Sequence, residues 1–165
     1  MLANLSPLLL AHLTAVLIAM PLGFHQLTRP QGTPAHALLG RIYIAAMLIA
    51  NIGALASFRP ETRFIPFHIL AIVSLVTMAT GMWALRRWLM LRNPAHLRTH
   101  KIQMAFSWIG LMMAGASQVL TNNRFGIVEG FTPTTFWVSV VGLNLAMYAL
   151  GSWWVFRRLL RDDRA

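Results

Sequence analysis

The stretch MLANLSPLLLAHLTAVLIAMPLGFHQLT, residues 1–28, contains no Asp, Glu, Lys or Arg. A helix needs roughly 20 predominantly apolar residues to cross about 30 Å of hydrocarbon, and this run is long enough. Four further uncharged runs follow it, at residues 42–58, 64–85, 102–123 and 130–156. The shortest of them, 42–58, suffices once the charged end of Arg41 extends to the membrane interface. The sequence therefore predicts five transmembrane helices.

The composition agrees with a membrane protein. The chain has 165 residues, of which 57% are apolar and only 11% charged, whereas soluble domains are roughly 45–50% apolar and about 25% charged. Cysteine is absent, which excludes disulfides, thiolate metal sites and a cysteine nucleophile. Basic residues outnumber acidic ones, 14 to 4, but they lie between the apolar runs rather than along one stripe. We therefore expect no nucleic-acid partner.

Proline residues mark the predicted helix starts. Pro7 suits the first turn of helix 1, Pro66 opens helix 3, and Asn93-Pro94 suits the cap and first turn of helix 4. We expect one all-α domain over residues 1–165, in which helices 1–4 form the core and helix 5 is peripheral. The predicted helices cover about 7–27, 36–58, 65–87, 94–122 and 133–158.

With five spans the two termini lie on opposite sides of the membrane, and each basic residue can be assigned to one side. Eleven of the 14 basic residues fall on one side, and the remaining ones are Arg59, Arg63 and Arg124. Because basic residues are enriched in cytoplasmic loops, we expect the larger group to face the cytoplasm. The sequence thus predicts a protein of the bacterial cytoplasmic (inner) membrane with its N-terminus outside and its C-terminus in the cytoplasm.

Histidines are the candidate functional residues, since no carboxylate lies within a predicted span and ionisable groups are costly there. His12 and His68 fall near the outer ends of helices 1 and 3. His36 and His100 fall near the cytoplasmic ends of helices 2 and 4. A b-type haem held by two imidazoles needs ligands from two facing helices at similar depth. The pattern predicts His12 with His68, and His36 with His100, as axial ligands of one or two b-type haems.

Two residues close after His36 are expected to bind the same cofactor. Arg41 and Tyr43 could meet haem propionates or a quinone headgroup, although basic residues at this depth equally suit anionic lipid. His96, His100 and Met104 are spaced four apart and share one helix face. The sequence leaves open what His96, Met104 and the interfacial His25 do.

Two other functions fit the same histidines. Imidazole and thioether ligands suit copper(I), so a transmembrane protein that handles copper, iron or haem is one alternative. A non-catalytic membrane subunit with structural histidines is the other.

Three segments, HLTAVLIAMPLGFHQL, HALLGRIY and HLRTHKIQM, resemble a bacterial family of predicted multi-spanning membrane proteins of unknown function. The resemblance covers roughly residues 5–122 and implies little about function. Lys101 stands where the family more usually has arginine, which keeps the charge. The residues that carry the resemblance are His12; His36, Gly40 and Tyr43; and His100, Lys101 and Met104.

The layout of the histidines is also similar to that of transmembrane b-type cytochromes of the ascorbate-dependent and ferric-reductase kind. In those proteins four core helices supply histidines from alternate helices, with one haem near each face. This resemblance implies an oxidoreductase that moves electrons across the membrane. Quinol or ascorbate would be the donor, and ferric iron, oxygen or a partner protein the acceptor.

Overall fold

The computed structural model describes residues 6–56, 66–121 and 126–159, and within these ranges the chain forms helices and no strand. The all-α prediction is confirmed. The predicted helix limits at 58, 65 and 122 lie outside the described residues. The helices are α1 (Pro7–Thr28), α2 (Pro34–Ala56), α3 (Pro66–Leu91), α4 (Pro94–Thr121) and α5 (Pro133–Trp154), and a π-helical turn, Val155–Leu159, follows α5.

Every one of these five helices begins with a proline. Proline is suited to the first helical position for two reasons. Its fixed φ is helical, and an N–H at this position would have no acceptor within the helix, so its absence costs nothing. In four of the helices the residue before the proline also caps the helix with its side-chain oxygen. Thr33 Oγ1 accepts a hydrogen bond from His36 N at 3.1 Å, so α2 begins two residues earlier than predicted. The capping residues are Ser6, Thr33, Asn93 and Thr132.

Helix α3 runs one turn past its predicted end. The prediction stopped at the first charged residues after the apolar run, but arginine is a good helix former and does not end a helix. The helix ends instead where Arg92 adopts a left-handed conformation, with φ at 53°. The next residue, Asn93, precedes Pro94, which disfavours a helical backbone there.

The surface and the interior are composed as expected for helices in lipid. Large apolar side chains are exposed throughout, among them Leu17, Ile52, Val76 and Leu150. A soluble protein rarely exposes contiguous apolar surface on this scale. Many of the buried residues are alanines, including Ala15, Ala19, Ala84 and Ala105, and small residues let helices approach closely in a membrane. All five helices are long and apolar enough to span a bilayer.

The chain forms two compact units, residues 1–108 and 109–165. In the first unit α1 and α2 are antiparallel, because Gln26 contacts His36 and His12 contacts Ala50. In the second unit Asn144 Nδ2 of α5 donates to Ser117 Oγ of α4 at 2.7 Å. The single domain with a four-helix core and a peripheral fifth helix stays a prediction.

Candidate functional site

A buried hydrogen bond sets the register between α2 and α4. Tyr43 Oη lies 2.9 Å from Ser107 Oγ. The single hydroxyl proton of Ser107 is donated to the carbonyl of Met104 at 2.8 Å, so Tyr43 is the donor in the first contact. His36 and His100 each lie seven residues before this pair, which is about two turns along the same helix face. The register therefore places the two histidines at similar depth.

The two imidazoles lie within electrostatic range of each other at one end of the helices; this end is predicted to face the cytoplasm and is called the inner end below. His36 and His100 are close enough to interact electrostatically, and His25 of α1 interacts with His36 in the same way. His36 and His100 are half-buried, whereas His25 is exposed. His36 thus interacts electrostatically with its predicted partner and with His25, and ligation by the inner pair stays a prediction.

His100 is held in one orientation by α3. Its Nδ1 lies 3.0 Å from the carbonyl oxygen of Gly81. Because a carbonyl only accepts, Nδ1 carries the proton and Nε2 keeps its lone pair. Metal-ligating histidines usually donate their other ring N–H in this manner, which fixes the tautomer and the ring orientation. Nε2 of His100 is therefore the nitrogen that is chemically able to bind a metal.

His12 of α1 is oriented in the same way as His100, by a hydrogen bond from Nδ1 to a carbonyl of the neighbouring helix. Its Nδ1 lies 2.7 Å from the carbonyl oxygen of Ala50 in α2, so its Nε2 also keeps the lone pair. Gly53 makes this contact possible, because a Cβ there would lie only 2.9 Å from His12 Cβ.

His68, the predicted partner of His12, lies in the first turn of α3 and is 5% exposed. Its burial fits a residue that faces other parts of the protein rather than lipid. That His12 and His68 form an outer pair stays a prediction.

The two residues predicted beside His36 have different surroundings. Tyr43 is 4% exposed, and its hydroxyl is occupied by Ser107, so it joins α2 to α4. Arg41 is exposed and projects about 140° away from His36 around the helix axis. Cofactor binding by Arg41 and Tyr43 stays a prediction.

The structure also shows the contacts of His96 and Met104. The His96 ring packs edge-on against Trp83 of α3, with ring centroids 5.9 Å apart. The Met104 methyl group lies against Gly81, 2.6 Å from where a Cβ would be. Both side chains thus pack against α3.

Sequence reasoning missed Gln26. This residue is 8% exposed, and its Nε2 donates to the carbonyl of His36 at 2.9 Å. Its Oε1 is buried and has no hydrogen-bond partner among the residues that the structure describes. The sequence did contain a signal for it: Gln26 is an amide residue within the first uncharged run, directly after His25. Polar groups within a membrane span are rare and often functional.

Three arginines stack on tryptophans at the predicted inner ends of α3 and α5. Each arginine follows its tryptophan by four residues, so that the guanidinium lies over the ring. This combination of basic and aromatic residues is typical of a membrane interface. The pairs are Arg87 with Trp83, Arg92 with Trp88 and Arg157 with Trp153, at 5.5, 5.0 and 5.1 Å from the ring centroids.

The chemistry available at the inner end is that of an imidazole pair with a neighbouring amide. Within residues 6–56, 66–121 and 126–159, no three or more His, Asp or Glu side chains converge as they would around a metal ion.

Comparison with known proteins identifies a family and no close relative. No curated protein and no solved structure shows significant similarity to the chain. The family described as predicted membrane protein (DUF2306) matches residues 9–155. That range includes parts of all five helices and confirms the resemblance to a family of predicted membrane proteins. The chain therefore belongs to the DUF2306 family of predicted membrane proteins.

Proposed function

We propose that this protein is a membrane-embedded b-type cytochrome, with His36 and His100 as axial ligands of a haem at the inner end of α2 and α4. The observation that carries the proposal is the register between these helices. It places two imidazoles at one depth, within electrostatic reach of each other. Bis-histidine ligation requires this arrangement of two facing helices.

The donor set suits a haem better than a bare metal ion. A porphyrin supplies the equatorial nitrogens, so the protein has to provide only the axial ligands. Metal ions without a macrocycle are usually held by three or more protein donors. His100 Nε2 is oriented for ligation by the Nδ1–H bond to Gly81, and such a bond also raises the basicity of the ligand. When bound, the haem supplies one-electron redox chemistry.

A second haem at the outer end belongs to the same proposal. His12 and His68 would be its ligands, and the support is the Nδ1–H bond of His12 to Ala50 together with the burial of His68. Two haems at opposite faces would carry electrons across the bacterial inner membrane. A quinol or ascorbate would be the donor, and ferric iron, oxygen or a partner protein the acceptor.

Absorption spectroscopy of the purified protein tests the proposal. The protein is produced with haem supply ensured, and its dithionite-reduced minus oxidised spectrum and haem content are measured. We expect a sharp α band and one haem for each proposed histidine pair. A colourless protein would contradict the proposal.

Single-histidine variants test the assignment of the ligands. His100→Ala should remove the inner haem, because alanine offers no axial donor. His96→Ala is the matched control, since His96 lies on the same helix and packs against Trp83, and it should keep the full haem content. If His100→Ala folds and also keeps all its haem, the inner site is assigned to the wrong residue.

A further inference from the structure

We infer that the inner end of the α1–α2 hairpin binds the headgroup of an isoprenoid quinol, with Gln26 Oε1 accepting a hydrogen bond from a quinol hydroxyl. This inference rests on the proposed function for its redox role. The quinol would be the electron donor to the haem at His36 and His100.

The orientation of the Gln26 amide follows from its one contact. A carbonyl only accepts, so the amide must turn its NH2 group toward the carbonyl of His36, 2.9 Å away. Oε1 then points to the other side, where it is buried without a donor. A buried acceptor left without a partner is unfavourable, and a ligand that brings a hydroxyl group satisfies it.

The surroundings of Gln26 suit a neutral, hydroxylated ring. His36 lies beside it and interacts electrostatically with both His25 and His100, so an amide and imidazoles are among the groups at this end. A Cβ at Gly40 would lie 3.4 Å from Gln26 Nε2, so the Gln26 amide lies close to the backbone of α2. The site thus offers hydrogen-bond acceptors, and the one acidic residue within the described ranges, Glu129, lies in the loop between α4 and α5.

An apolar groove of about 570 Å³ between α1 and α2 suits the isoprenoid tail. On α2 the innermost lining residue is Ile42, two residues from Gly40, whose added Cβ would contact Gln26. The inner end of the groove therefore lies at nearly the depth of Gln26, about 3 Å away along α2. A ligand with an apolar tail and a hydroxylated head matches both the groove and the Gln26 acceptor, whereas a water-soluble donor would use only the Gln26 acceptor. Residues that line the groove include Ala11, Thr14, Ile18, Ile42 and Ile49.

The electrons and protons that oxidation of the quinol releases can each be accounted for. On becoming the quinone, one quinol releases two electrons and two protons. The electrons would pass one at a time to the haem that His36 and His100 would hold, and the first would have to move on to the acceptor before the second is taken up. Gln26 holds the hydroxyl but takes no proton, since an amide is not a base. The protons pass to water on the cytoplasmic side, where the imidazole of His25 is exposed and able to relay them.

Binding of a quinone with a short alkyl tail, decyl-ubiquinone, tests the site in lipid nanodiscs. The readout is quenching of tryptophan fluorescence. Trp108 is a suitable reporter because its Nε1 donates to the carbonyl of Met20 and its ring lies against Gly23, one turn from Gln26. Gln26→Met should weaken binding about tenfold, the effect of losing one buried hydrogen bond. Gln118→Met, at an exposed glutamine of α4, should leave it unchanged.

A groove variant separates the tail from the headgroup. Ala45→Phe fills the inner part of the groove, about 7.5 Å along α2 from Gly40, so it should weaken decyl-ubiquinone binding and leave binding of a tail-less quinone unchanged. This variant keeps Gln26 intact and therefore tests the site even if Gln26→Met fails to fold.

The outcomes distinguish this inference from the proposed function. Quinone binding that Gln26→Met leaves unchanged, or that equals partitioning into empty nanodiscs, would overturn the inference. So would a haem protein that ascorbate reduces and quinol does not, although the cytochrome proposal would then stand. A colourless protein that binds quinone through Gln26 would contradict the cytochrome and support the binding site.

Discussion

Replacing Gly53 with alanine should destabilise the protein, because α1 packs closely against α2 there. The new Cβ would lie 2.9 Å from His12 Cβ, whereas carbon atoms in contact prefer about 3.5–4.0 Å. His12 Cβ is fixed to the backbone and cannot rotate away, so α1 must move by roughly 0.5–1 Å. Overpacking of this kind costs about 1–3 kcal/mol, and alanine regains about 1 kcal/mol in helix propensity. We expect a net loss of about 1 kcal/mol in the free energy of unfolding.

Unfolding by SDS in mixed micelles, followed by circular dichroism, measures this loss. Gly110→Ala is the matched control, because no atom lies within 4 Å of a Cβ at that position of α4. This control should be as stable as the original protein or more stable, since only the helix propensity changes. If Gly53→Ala gains stability as Gly110→Ala does, the close approach of His12 to α2 is refuted.

Two further predictions concern register and orientation. In a double-mutant cycle, Tyr43→Phe and Ser107→Ala should be coupled by about 0.6 kcal/mol in the same SDS assay, as is usual for hydrogen bonds between membrane helices; additive effects would contradict the α2–α4 register. The chain has no cysteine, so single-cysteine variants give clean labelling with an impermeant thiol reagent. In intact cells, or in spheroplasts if there is an outer membrane, Glu129→Cys should react and Gln31→Cys should not; the reverse pattern would contradict the predicted orientation.

Several helix starts were predictable from the sequence, whereas the start of α2 and the end of α3 were not. Proline at the first helical position depends on local geometry, so Pro7, Pro66 and Pro94 marked their helices correctly. The end of α3 depends on the left-handed conformation of Arg92, and arginine is not typical of that conformation. A charge pattern locates the end of the apolar run and not the end of the helix.

Part of the candidate site was predictable for a similar reason. The spans and their directions placed His36 and His100 at the same end, and in the structure they lie within electrostatic range of each other. The partner of Tyr43 was not predictable, because Ser107 lies 64 positions away on another helix. Gln26 was missed because only the packed structure shows that its carbonyl oxygen is buried and unpartnered.

Electron paramagnetic resonance of the oxidised protein tests the central claim, ligation of haem by a pair of imidazoles, most directly. We expect the original protein to give a low-spin signal of bis-imidazole type, and His100→Ala to lose the part of that signal due to the inner haem. A high-spin signal from the original protein, or a low-spin signal that His100→Ala leaves unchanged, would contradict ligation by His36 and His100.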